Sequence, residues 1–75
     1  MNKYFTIKNE QGRYMKTGGN GWCNNLKGAV YGTEAQMKAL IEQKKKSPYQ
    51  MSLEYIGEAE SGWMAKNDKV RELNK

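Results

Sequence analysis

The sequence predicts a small α+β domain, in which an antiparallel sheet packs against one main helix. The sheet comprises an N-terminal β-hairpin and one to three further strands. Three observations predict it. Lys3–Lys8 alternates with period two and resumes as Arg13–Lys16 after a turn signal. Residues 33–46 carry a helix start, an apolar stripe and a stop. Gln50–Ile56 alternates again. Seventy-five residues cannot divide their apolar content between two cores. The expectation is one domain over 1–75, with 66–75 as a loosely ordered tail.

In the hairpin, the loop Glu10-Gln11-Gly12 fits a type I turn whose last residue is left-handed, where Gly12 has no Cβ to clash. That loop sets Asn9 opposite Arg13, Lys8 opposite Tyr14, Ile7 opposite Met15 and Thr6 opposite Lys16. Phe5, Ile7 and Met15 then share a buried face, and Tyr4, Thr6, Lys8, Tyr14 and Lys16 an outer one. Thr17–Gly21 holds three glycines in five residues and reads as a loop. Trp22-Cys23 begins a third short strand. A helical turn through Leu26 and an extended stretch at 29–31 follow. Thr33-x-x-Gln36 is a capping box, and Met37, Leu40 and Ile41 form the helix's buried stripe. Lys44-Lys45-Lys46 sits where cations complement the helix dipole, and Ser47-Pro48 stops the helix. In the next strand Met51, Leu53 and Tyr55 share a face, and Gly57 ends it. Trp63, Met64, Val70 and Leu73 fit a helix interrupted at Asn67-Asp68, or a strand through Trp63 with a charged tail. Both remain open.

Composition excludes several classes. The chain carries 13 Lys and Arg against 8 Asp and Glu, for a formal charge of +5, so it is no acidic mimic of DNA. Mean hydropathy is −1.00, and no run approaches the ~18 apolar residues of a membrane span. Met1-Asn2-Lys3-Tyr4 lacks the apolar core of a signal peptide. With no His and a single Cys, neither His-based catalysis, a zinc ribbon nor an intramolecular disulfide is available. A lone Cys points to a reducing cytoplasm. The positive charge belongs to residues 1–46, while Glu54, Glu58 and Glu60 make the remainder slightly acidic.

Each candidate surface has a plainer reading beside it. Tyr4, Lys8, Tyr14 and Lys16 combine aromatic platforms with cations, as a nucleic-acid-binding strand face does. An ordinary strand face, solvated or covered by the C-terminal segment, explains them equally. Lys44, Lys45 and Lys46 could neutralise phosphates, but the helix end predicts lysines there unaided. Gly18–Gly21 lacks the GxxxxGK[ST] string of a phosphate loop and reads as a turn. Trp22 is expected in the core. Trp63 divides between core pillar and partner anchor, because its flanks Gly62, Lys66 and Asn67 look exposed. Cys23 is expected to be a small buried residue without a base to activate it. Glu58 and Glu60 lack the apolar surroundings that would tune them for acid–base work. A pocket of ~300 Å³ or more is hard to carve from so small a core, so no enzyme is expected.

The hairpin with Asn9-x-x-Gly12, then Trp22, Leu26, Ala29, Tyr31-x-Thr33, and Ala39 and Ile41 in a helix before a strand, resembles small phage-encoded accessory proteins. Many of these open with a strand "IKN-x-x-G-x-Y" and a downstream Trp. The resemblance spans residues 3–56. It implies a host-takeover or anti-defence protein: non-enzymatic, without cofactor, binding and inhibiting a host protein complex.

The expected function is therefore partner binding through Tyr4, Lys8, Tyr14, Lys16, Lys44, Lys45, Lys46 and Trp63. Direct nucleic-acid binding through the hairpin face and the lysines is the second reading. A homo-oligomer pairing exposed strand edges is the third. No catalytic, cofactor or metal residues are assigned.

Overall fold

The computed structural model describes residues 1–75. Its elements are β1 (Asn2–Asn9), β2 (Tyr14–Met15), β3 (Trp22–Cys23), α1 (Glu34–Gln43), β4 (Met51–Ala59) and α2 (Gly62–Leu73), with a 3-10 turn at Leu26–Gly28 before α1. The four strands form one antiparallel sheet in the order β3-β2-β1-β4. This is the expected α+β architecture, with a second helix added.

The hairpin forms as the loop chemistry requires. Gly12 takes φ +78° and its amide donates to Asn9 O at 3.0 Å. The Asn9 carboxamide oxygen accepts from the Gln11 and Arg13 amides, and Lys8 pairs with Tyr14. Beyond that pair the register expected for Thr6 and Lys16 is not kept. The 29–32 segment wedges between the strands, bridging Lys16 to Ala29 and Phe5 to Gly32. Its carbonyls and amides are paired there: the Val30 amide donates to Met15 O at 2.9 Å, and the Phe5 amide to Gly32 O at 2.8 Å.

α1 has the full capping box, the Gln36 amide donating to Thr33 Oγ1 and the Thr33 amide to Gln36 Oε1. Helix geometry ends at Gln43 with Lys44 as cap, and Lys45 and Lys46 lie in the turn beyond. α1 covers the face of Ile7 and Met15, which with Met37 form one buried cluster. Phe5, Trp22, Leu40 and Leu53 pack around it, as their periodicity implies.

β4 does not stop at Gly57. The register against β1 shifts between Tyr4 and Phe5, where Tyr4 faces Gly57 and Phe5 faces Tyr55. Ile56 is the extra residue of this bulge, and Gly57 accommodates it at φ +133°. Alternation already puts Ile56 on the second face. The slip turns Ala59 there as well, and both join Leu26, Ala29 and Ala65 in a second cluster.

α2 covers that second face and settles the open choice in favour of a helix. The Ser61 hydroxyl caps it by accepting from the Met64 amide at 3.3 Å. Residues 66–73, expected in a loose tail, are the body of this helix. The outer face of the hairpin is therefore largely covered. Thr6 is fully buried and its hydroxyl donates to Val30 O at 2.6 Å, Tyr4, Lys8 and Tyr14 are half-buried, and Lys16 stays exposed. Of Trp63's expected exposed flanks, Gly62 and Lys66 are buried.

Candidate functional site

The hairpin face does not form an open platform. Tyr4 is half-buried against the second cluster, its hydroxyl donating to Glu60 O at 3.4 Å. Lys8 Nζ pairs with Glu54 Oε1 at 3.1 Å and stands 5.6 Å from the Tyr14 ring centre. That hydrogen bond, with the Glu54 charge, raises the Lys8 pKa above 10.5. Burial chiefly raises the Tyr14 phenol above 10.0, and Glu54 adds to it. A cation already held by a carboxylate has little left to offer a phosphate. Lys16 is exposed and lies apart from this trio, its stem against Gly21.

The three consecutive lysines diverge. Lys45 pairs with Glu42 at 3.0 Å, Lys46 is exposed, and Lys44 is half-buried with its amine beside Gly19. Lys16 and Lys44, remote in sequence, thus flank the same glycine loop. Trp22 is half-buried on the first cluster and meets Tyr49 at 5.2 Å between ring centres.

Trp63 lies on the outer surface of α2, 62 % exposed, with Met64 beside it at 43 %. Helical spacing explains why. Gly62, Ala65 and Lys66 are the residues α2 turns inward, which leaves Trp63, Met64, Asn67, Asp68 and Arg71 outward around a shallow hollow of about 360 Å³. Asp68 and Arg71 are hydrogen-bonded to each other at its rim. The apolar centre is therefore bordered by an internally neutralised pair.

Sequence reasoning missed Lys66. Its amine is buried and donates to Lys27 O at 2.9 Å and Ala29 O at 3.1 Å, 4.8 Å from the Tyr31 ring centre. Burial lowers its pKa below 10.5, and the nearby Cys23 acts the other way. The only sequence signal was its place three residues after Trp63 on a helix with two faces. Cys23 is half-buried rather than buried, its thiol donating to Asn25 O at 3.2 Å.

An open cleft of about 390 Å³ runs between the 3-10 turn and the end of α2, with Tyr14, Leu26, Val70 and Leu73 as its apolar lining. Its volume exceeds what the sequence led us to expect, although it is a groove rather than an enclosed chamber. No three His, Cys, Asp or Glu side chains converge on a common point. No helix is long and apolar enough to cross a membrane. Comparison with family models, curated proteins and solved structures gave no match to this chain.

Proposed function

We propose that the chain is a non-enzymatic protein-binding module that docks a partner through the outer face of α2. The observation that carries this reading is the exposure of Trp63, 62 % accessible beside Met64 in a domain otherwise short of apolar bulk. Leaving a Trp out of so small a core forgoes about 1.5–3 kcal/mol of burial. Trp is also among the residues enriched at binding hot spots. The neighbouring charges support an apolar contact, since Asp68 and Arg71 neutralise one another at its edge.

In the form the phage-type resemblance implies, the partner is a host protein complex and the effect is its inhibition or modulation. The unpaired thiol of Cys23 suits a reducing cytoplasm. The test is size-exclusion chromatography of the tagged chain recovered from nuclease-treated host lysate. A stoichiometric partner should co-elute with the wild type and be lost with Trp63→Ala, while the variant keeps its melting temperature. Retention of the partner by Trp63→Ala would remove α2 from the account.

A further inference from the structure

We infer that the surface around the glycine loop 17–21, on the side of the sheet opposite α2, is a binding site for single-stranded nucleic acid. It extends beyond the protein-docking face and does not depend on it. Lys16 and Lys44 flank the loop without a carboxylate partner, and the exposed Lys46, likewise unpaired, follows two residues after Lys44 in the turn beyond α1. A Cβ placed on Gly19 would stand 3.2 Å from Lys44 Cε and 3.5 Å from its Nζ, and one on Gly21 would stand 3.7 Å from Lys16 Cδ. The glycines thus let both stems close in over the backbone. Gly19, at φ +75°, also holds a conformation that other residues rarely adopt.

The loop itself can donate. The Gly18, Asn20 and Gly21 amides have no acceptor within the protein. Lys44 shares a small cleft with Gly19, Gly21 and Trp22, and Trp22 is in turn paired with Tyr49. Cations and free amides suit phosphate oxygens, and aromatic edges and faces at the same place suit an unstacked base. An acidic protein surface would use the lysines as well. The free loop amides beside both cations and aromatic rings, however, match a strand that offers phosphates and bases together, and this combination favours a nucleic acid strand.

Fluorescence anisotropy with a labelled 20-nucleotide single strand of mixed sequence tests the site. Saturable binding at 50 mM salt should weaken roughly 20-fold at 200 mM, as three phosphate contacts on a single strand require. The triple variant Lys16→Gln/Lys44→Gln/Lys46→Gln should lose that binding. The control Lys3→Gln/Lys27→Gln/Lys75→Gln, which removes the same charge elsewhere, should retain it. Tyr49→Ala, checked for folding by circular dichroism, should weaken binding at least ~5-fold with the salt slope unchanged, because stacking is not a charge contact. Equal loss in both triple variants would reduce the effect to net charge and overturn the site. Equal competition by a 20-residue polyglutamate would overturn the nucleic-acid assignment. Neither result bears on Trp63, so this inference and the docking face fail separately.

Discussion

Lys66→Met isolates what the buried amine does, because methionine keeps most of the stem and removes only the head. The amine donates to Ala29 O at 3.1 Å and Lys27 O at 2.9 Å. Ala29 is fully buried, so water cannot replace the lost donor at its carbonyl. The carbonyl keeps only the long 3.4 Å bond from the Thr17 hydroxyl. Losing its better donor therefore costs towards the lower half of the about 1–3 kcal/mol of an unsatisfied buried carbonyl. Lys27 is exposed and its carbonyl regains water, so its loss counts for little. Removing the cation from the Tyr31 face, 4.8 Å away, costs ~0.5–2 kcal/mol. Relief from burying a charge offsets part of this, leaving a net loss of about 2 kcal/mol. For a domain of this size that lowers the melting temperature by roughly 8–16 °C.

The sign of the pH dependence follows from the lowered pKa. Between the folded value and 10.5 the unfolded chain holds a proton that the folded chain has released. Stability from this group therefore rises with pH through that window and is flat below it. Thermal melts by circular dichroism at pH 7 and pH 10 measure both effects. The gap between wild type and Lys66→Met should widen at pH 10. A variant as stable as the wild type at pH 7 would refute the reasoning, showing the amine to be a burden and not a clamp between α2 and the 3-10 turn.

The remaining expectations concern neighbouring parts of the fold. In Gly62→Ala the added methyl would meet the Tyr31 ring, with Cε2 at 2.8 Å, and Tyr4 Cδ1 at 3.1 Å. Overpacking of about 1–3 kcal/mol should exceed any gain in helix propensity, lowering the urea midpoint. Glu54→Gln should return the Lys8 pKa towards 10.5, as read from its Cε shift in an NMR titration. The stability that this ion pair supplies is complete below 10.5 and lost as pH rises through the raised value. At an exposed site it is worth at most about 1 kcal/mol. Thr33→Ala removes the hydroxyl that accepts from the Gln36 amide, and should cost about 1 kcal/mol in a urea titration.

The elements that local chemistry dictates were legible in the sequence. Gly12 and the Asn9 carboxamide define the first turn within five residues, and Thr33 with Gln36 defines the start of α1 within four. Alternation placed Met51, Leu53 and Tyr55 on one side of β4, because the pleat repeats every two residues. What escaped depends on tertiary contact. α2 turns Gly62, Ala65 and Lys66 inward, residues too small or too charged to register as an apolar stripe. Their small size lets the helix lie close to the sheet, and this in turn leaves Trp63 outside. Gly57 read as a terminator because a bulge and a strand end use the same glycine. The site residues were legible as types but not as neighbours. Lys8 and Tyr14 meet across the hairpin, as its register required, but Glu54 comes from β4 and claims the cation. Lys16 and Lys44 flank one loop only because α1 returns its end to the glycines.

The reading of α2 as a docking face is tested most directly by the affinity of the captured partner for wild type and Trp63→Ala, measured by calorimetry in high salt. An apolar anchor predicts that wild-type binding survives high salt and that Trp63→Ala weakens it about 30-fold or more. Equal affinity of the two proteins, or binding abolished by salt in both, would contradict the account.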